Sequence, residues 1–478
     1  MNNQLLTKSV CAMAGIMPFS HTLAQEALLR EKAEKPNIIF ILADDIGYEA
    51  FGCNGGTSYN TPNIDRMAEK GMRYTQCYSQ PLSAPSRQQL MTGKYNFRNY
   101  EGFGIMSPSE CTFGDLMKDA GYTTGITGKW QQYGNAMQIQ LAGHVGCLPN
   151  QVGFDDYFVW HTTFPYLANL PKMDKHVLEL DKLPNEAKEQ SESRYKDPVI
   201  LSDKGKFTYH GQYGPDLFLT HAMEFIHNNK NKPFFLYYPM VLMHDPFQAT
   251  PDSKDWDTSG AQDKSDPKYF GDMMSYMDKM IGKLINYVES EGIAENTLII
   301  FTGDNGTNRK ITSRWNNQNI RGNKGFPQEW GIHVPFIAYW KGHIQAGTVN
   351  ENLIDFTDIL PTFIEAANSK LPKDFVCDGH SILGQFLGKN DAYTRDYAFG
   401  WYDAMWLPQF KKAIWLQDKT HTWKYYQDGR FYNLKDDPDE QKPLDKKSLT
   451  KEGRLMLAKM NAEIERILNS YQINITNK

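Results

Sequence analysis

Four short apolar runs, each leading within a few residues into a charged or titratable side chain, constrain this chain more than any other feature. They are Ile38–Leu42, Tyr122–Ile126, Phe234–Val241 and Leu298–Phe301. Apolar runs of this length, without polar alternation, suit strands buried on both faces, as in a mainly parallel sheet covered by helices. Helical patterns over Pro215–His227 and Tyr269–Glu291 supply such covers. The runs lead into Asp44-Asp45, Lys129, His244 and Asp304-Asn305, respectively. Parallel strands end on one rim, and open α/β sheets bind their ligands there. Any one of these polar residues alone reads as a turn residue or a helix cap. The same placement four times predicts that they converge on one site.

The chain has 478 residues, 40% of them hydrophobic, enough for a large core and more than one domain. From about Asp391 the texture changes to Tyr, Trp and charge, with short alternating runs at Lys412–Leu416 and Thr422–Tyr426. A small antiparallel sheet is predicted there, closed by a helix over Lys451–Tyr471. The expected organisation is a catalytic domain over 35–370 and a C-terminal subdomain over 371–478. The polar segment Lys172–Lys206 reads as a surface insertion beside the site.

The N-terminus carries Lys8, an apolar run from Val10 to Phe19, and the small residues Thr22-Leu23-Ala24. That pattern predicts a cleaved export signal over 1–24, too short for a permanent anchor. The residues before Cys11 are too polar for lipid attachment, and no later apolar stretch is long enough to span a bilayer. The expected product is a periplasmic or secreted bacterial protein without a membrane anchor. A net charge of -5 without basic blocks gives no support for nucleic-acid binding. Beyond the leader, Cys53, Cys77, Cys111, Cys147 and Cys377 form no CxxC pair, which argues against a dense disulfide scaffold or a cysteine-ligated zinc.

The most specific segment is Ser83-Ala84-Pro85-Ser86-Arg87, followed by Leu90-Met91-Thr92-Gly93. Pro85 suits the first turn of a helix. Ser83 is then placed just ahead of that helix, near its free N–H groups, where an anion is favoured. Arg87 adds a full positive charge four residues on. This segment resembles the signature of the type I sulfatases, of the alkaline phosphatase superfamily. Other blocks resemble the same family in the same order. They are Pro36–Gly47, Thr302–Gly306, Arg321-Gly322-Asn323-Lys324 with Glu329 and Val334-Pro335 downstream, and Phe431–Leu434 with Asp437–Glu440. The resemblance covers nearly the whole chain past the leader. It implies an alkaline-phosphatase-like α/β fold with a smaller C-terminal antiparallel sheet.

The resemblance also implies chemistry. Ser83 would be oxidised to 3-oxoalanine (formylglycine), whose hydrated aldehyde attacks sulfur. Because position 83 is serine rather than cysteine, maturation would fall to a radical sulfatase-maturating enzyme of the anaerobic type. Asp44, Asp45, Asp304 and Asn305 form an all-oxygen set suited to a hard divalent cation, and the family implies one Ca²⁺ there. Lys129 and Lys324 would contact the sulfate, and His244 or Lys324 would protonate the departing alcohol. The family usually has a histidine two residues after the first lysine; here Gln131 stands there and cannot act as a base. Gln131 is expected to bind the substrate, as is His161. His144 and His161 are further histidines near in sequence. His333 takes a place where arginine is common and is read as structural. The predicted activity is hydrolysis of sulfate esters on carbohydrates. Two alternatives remain open: a phosphodiesterase or phosphonate hydrolase sharing the metal loops, and a non-catalytic binder of sulfated glycans, motivated by Gln131.

Overall fold

The computed structural model describes residues 35–134, 136–160, 193–257, 260, 262–405, 407 and 409–476. The expected leader, His161 and the larger part of Lys172–Lys206 lie outside the described residues. Everything below concerns the compact unit Pro36–Lys478. In chain order its strands are β1 (Asn37–Ala43), β2 (Met72–Tyr78), β3 (Thr123–Lys129), β4 (Asp156–Trp160), β5 (Val199–Ser202), β6 (Gly205–Thr208), β7 (Phe234–Pro239), β8 (Thr297–Gly303), β9 (Thr312–Trp315), β10 (Gln318–Arg321), β11 (Phe336–Trp340), β12 (Thr348–Asp355), β13 (Tyr397–Tyr402), β14 (Ala413–Asp418), β15 (Trp423–Tyr426) and β16 (Phe431–Asn433).

Ten of them form one sheet, in the order β12-β2-β11-β8-β1-β7-β3-β4-β5-β6. The four apolar runs are the adjacent strands β8, β1, β7 and β3, all parallel. Both faces of β1 are dry. Ile38, Phe40 and Leu42 pack with Phe113, Phe235 and Phe363 on one side. Ile39 and Ile41 pack with Phe225, Met277 and Ile281 on the other. The Gly214–Asn229 and Phe270–Ser290 helices supply that second cover. Each side chain of this kind is worth about 1.5–3 kcal/mol on full burial, so the strand cannot slip by one residue without exchanging two optimised faces. β11 interrupts the parallel run, pairing antiparallel with β2 and β8.

Two expectations need correction. β7 stops at Pro239, and Met240–His244 already form the loop to the rim. The end of the segment read as a surface insertion is not on the surface. Its Val199-Ile200-Leu201 triplet forms β5, which with β6 extends the sheet antiparallel, and Tyr195, Ile200 and Leu201 are buried. The apolar triplet outweighs the charges around it.

The predicted C-terminal sheet is present as the antiparallel order β13-β14-β15-β16, with the Lys451–Thr476 helix packed against it through Met460, Ile464 and Ile467. Its tie to the main sheet is a buried ion cluster. Arg395 donates from Nε to Asp358 Oδ2 at 3.1 Å, from Nη2 to Asp358 Oδ1, and from Nη1 to the Tyr95 hydroxyl at 2.8 Å. Nη1 also lies 3.2 Å from Asp355, at the end of β12. Removing the cation leaves two buried carboxylates facing each other. Arg395→Leu is therefore expected to destabilise the protein by about 3–5 kcal/mol, read as a lower midpoint in chemical denaturation; a midpoint equal to wild type would show that the cluster does not hold the two sheets together.

Candidate active site

The β1–β8 register aligns Ala43 with Gly303, so Asp44 and Asp304 leave the sheet side by side. The Asp304 N–H donates to Ala43 O at 3.0 Å, and the Asp44 N–H to Leu242 O at 2.8 Å. Asp45 then adopts φ 57°, a left-handed conformation that costs energy for a residue with a Cβ. Its N–H donates to Asp304 Oδ1 at 3.0 Å, and the Asn305 amide donates to Asp45 Oδ1 at 3.0 Å. Asp44, Asp45, Asp304 and Asn305 are all completely buried.

Ser83 opens the Ser83–Thr92 helix as its first residue, with Leu82 as the cap, one position later into the helix than the sequence suggested. Every residue of this helix is buried, so its polar side chains find their partners inside the protein. Ser86 pins the incoming loop, donating to Gln80 O and accepting from the Gln80 N–H, both at 3.0 Å. Gly93 ends the helix at φ 65°, where a side chain would be strained. The Ser83 hydroxyl accepts from Arg87 Nε at 2.9 Å and from Lys129 Nζ at 2.9 Å. Arg87 also grips Asp304 Oδ2 through Nε at 3.1 Å and Nη2 at 2.8 Å.

Lys129 ends β3. Its predecessor Gly128 sits at φ 123°, with Pro239 O only 2.0 Å from where a Cβ would be, so no other residue fits there. Lys129 Nζ donates to Asp44 Oδ2 at 2.7 Å. On the far side, Lys324 Nζ donates to Asp45 Oδ2 at 2.5 Å, and His244 Nε2 lies 3.8 Å from the same oxygen. The C-terminal sheet positions the loop that carries Lys324. Tyr402 donates to Gly325 O at 3.1 Å, and the fully buried Lys424 donates to Pro327 O while pairing with Glu440 at 2.8 Å.

Burial sets the electrostatics. It pushes Asp44 up to about 7 despite Lys129, with Asp304 and Asp45 adding repulsion. It pulls Lys129 down to about 8 despite Asp44. Burial also raises Asp304, but Arg87, Lys129 and the hydrogen bonds from Ser83 and the Asp45 N–H together outweigh it and hold that carboxyl at about 2. Burial, then the charges of Lys324, Arg194 and Lys129, hold the His244 imidazolium well below its usual range. A divalent cation among these carboxylates would relieve their repulsion. The residues fit one: Asp44 Oδ1 and Asn305 Oδ1 are buried and accept no hydrogen bond among the described residues. Ligand atoms of Asp44, Asp45 and His244 lie within 4.8 Å of one another. Asp304 stands against this cluster with both oxygens already engaged, so the structure brings in His244 beside the predicted oxygen set.

Gln131, at φ 47°, is partly exposed two residues beyond Lys129. His144 faces away, with a 41% exposed side chain 3.4 Å from Glu101. His333 is structural, as read: it is 2.7 Å from Glu329, bonded to Thr75 O at 2.9 Å, and stacked on Tyr48 at 4.1 Å. Sequence reasoning missed Arg194. It is buried, with Nη1 3.8 Å from Asp44 Oδ2. It lies in the segment taken for a polar insertion, and only the apolar triplet five residues on hinted that the chain returns to the sheet.

With this geometry in hand, comparison with known proteins becomes specific. The Sulfatase family profile matches residues 36–369. A profile for the C-terminal part of N-sulphoglucosamine sulphohydrolase matches residues 323–469, beginning at the Lys324 loop. N-acetylgalactosamine-6-sulfatase of Mus musculus is 30% identical over 424 residues, 83% of this chain and 75% of that protein. N-acetylgalactosamine-6-O-sulfatase of Bacteroides thetaiotaomicron is 28% identical over 415 residues, 77% of this chain and 79% of that protein. The crystal structure of Ps i-CgsB in complex with k-i-k-neocarrahexaose superposes with a TM-score of 0.68 at 26% identity, covering 91% of this chain and 92% of that one. A mostly parallel ten-stranded sheet, a small C-terminal antiparallel sheet and a rim of Asp44, Asp45, Ser83, Arg87, Lys129, Asp304 and Lys324 thus belong together: the chain is a member of the sulfatase family, sulfuric ester hydrolases of the alkaline-phosphatase-like fold.

Proposed function

We propose that this protein is an exported sulfatase that removes sulfate from carbohydrates, using a formylglycine formed from Ser83 and a calcium ion bound by Asp44, Asp45, Asp304 and Asn305. The observation that carries this reading is the Ser83 hydroxyl held at 2.9 Å by both Lys129 Nζ and Arg87 Nε, at a helix start, beside three buried carboxylates. An unmodified serine there could at best form a sulfate ester with no easy route to turnover. A formylglycine formed at that position would, once hydrated, carry two hydroxyls on one carbon, one suited to attack and one to release of sulfate. A divalent cation held by Asp44, Asp45, Asp304 and Asn305 would supply Lewis acidity there. Arg87 and Lys129 hold the nucleophile and oppose the charge that develops on it. Lys324, which donates to Asp45 Oδ2, is suited to deliver a proton to the departing alcohol oxygen, with His244 Nε2 3.8 Å from the same carboxylate oxygen.

The carbohydrate assignment is supported by relatives named for N-acetylgalactosamine sulfates and by the neocarrahexaose complex. Export to a bacterial periplasm and maturation by a radical enzyme rest on the leader pattern and on serine at position 83. Among the described residues no helix is long and apolar enough to cross a membrane.

Mass spectrometry of the peptide containing Ser83 and Arg87 tests the nucleophile. Active protein should show loss of two hydrogens at position 83, and protein made without a maturase should be folded and inactive. Fully active enzyme with intact serine would reject the mechanism and favour a phosphodiesterase. The metal is tested by chelation. Activity should be lost, and readdition of calcium at about 100 times its Kd should restore both activity and about 2.7 kcal/mol of stability. Asp304→Ala should abolish that response. Full activity in exhaustive chelator, with no metal by elemental analysis, would exclude the ion.

A further inference from the structure

The β3–β4 register pairs Lys129 with Trp160, so Trp160 reaches the rim beside the lysine that holds Ser83. Arg194 lies over that indole, its Cζ 4.0 Å from the ring centroid. A cation–π contact of this kind holds a guanidinium in place while its N–H groups stay available to an acceptor. Arg194 is 8% exposed, yet its Nε and Nη1 make no hydrogen bond among the described residues. Nor does the Trp160 indole N–H. Three donors are thus held out of water without an acceptor, a state that folding does not reward.

Asp44 does not explain them. Its Oδ2 already accepts from Lys129 at 2.7 Å, and Arg194 Nη1, at 3.8 Å from that oxygen, is too far to share it. Arg194 therefore adds a fourth cation, after Arg87, Lys129 and Lys324, to a site with three carboxylates. A buried guanidinium with unmet donors and surplus positive charge around it suits an oxyanion such as a sulfate or a carboxylate.

We infer that Arg194 is a substrate-binding residue. Its Nη1, which has no acceptor among the described residues and stands 3.8 Å from Asp44 Oδ2, takes an oxyanion of the substrate. That oxyanion is either the sulfate being cleaved or a second sulfate or carboxylate on the same sugar. The assignment rests on the sulfatase reading but is tested apart from turnover.

Calcium-loaded protein with Ser83 unconverted would be titrated calorimetrically with inorganic sulfate, a disulfated hexosamine and a monosulfated disaccharide containing a uronate. Wild type would be compared with Arg194→Met, which keeps the aliphatic packing on Trp160, and Arg194→Lys, which keeps the charge. At least a tenfold weakening for all three probes in Arg194→Met, with smaller losses in Arg194→Lys, would assign Arg194 to the cleaved sulfate. A tenfold weakening confined to the doubly anionic sugars would assign it to the second anion. Affinities within threefold of wild type for every probe, with only a lowered melting temperature, would make Arg194 a structural neutraliser and overturn the inference. So would failure of wild type to bind any of the three. Failure of aldehyde-bearing wild type to release sulfate would instead count against the sulfatase reading, and the titrations would still decide the role of Arg194.

Discussion

Three carboxylates buried at one rim are unstable unless positive charge is brought to them, and much of the molecule is arranged to bring it. Asp44 and Asp304 are neighbours because β1 and β8 are in register, and Asp45 joins them through a left-handed turn. Lys129 arrives from β3, Arg87 from the buried Ser83–Thr92 helix, and Lys324 from a loop clamped by the C-terminal sheet. Each cation comes from a different element, so folding the sheet, seating the helix and docking the C-terminal sheet are all needed to balance one site. The same balance serves chemistry. Charges held in place in a dry environment need no reorganisation when an anion binds or when charge develops on it.

The central sheet was legible because its strands are buried on both faces, which leaves an uninterrupted apolar run in the sequence. Two of the rim carboxylates were legible for the same reason: Asp44 follows Ala43 and Asp304 follows Gly303 directly at the ends of such strands. Ser83 and Arg87 stood out through the Pro-Ser-Arg spacing, and the structure puts them on one hydroxyl. Lys324 follows no strand of the main sheet and was found only through resemblance.

What the sequence hid has a common physical origin. β5 is four residues long and lies between charged stretches, so its apolar signal is weak against its surroundings. Arg194 precedes it without any motif and acquires its meaning only from the Trp160 ring under it and from Asp44 across the site. Clustering of His244 with Asp44 and Asp45 is likewise a product of the loop after β7, whose course no periodicity records. Pairings across the sheet are set by register, which a single sequence does not display.

The central claim is that Ser83, converted and held by Arg87 and Lys129, directs attack at sulfur. The most direct measurement is hydrolysis of a sulfated sugar by the converted enzyme in water enriched in oxygen-18, followed by mass spectrometry of both products. The account predicts that the label enters the released sulfate and that the sugar hydroxyl keeps its original oxygen. Label in the sugar hydroxyl would show cleavage at carbon and contradict it.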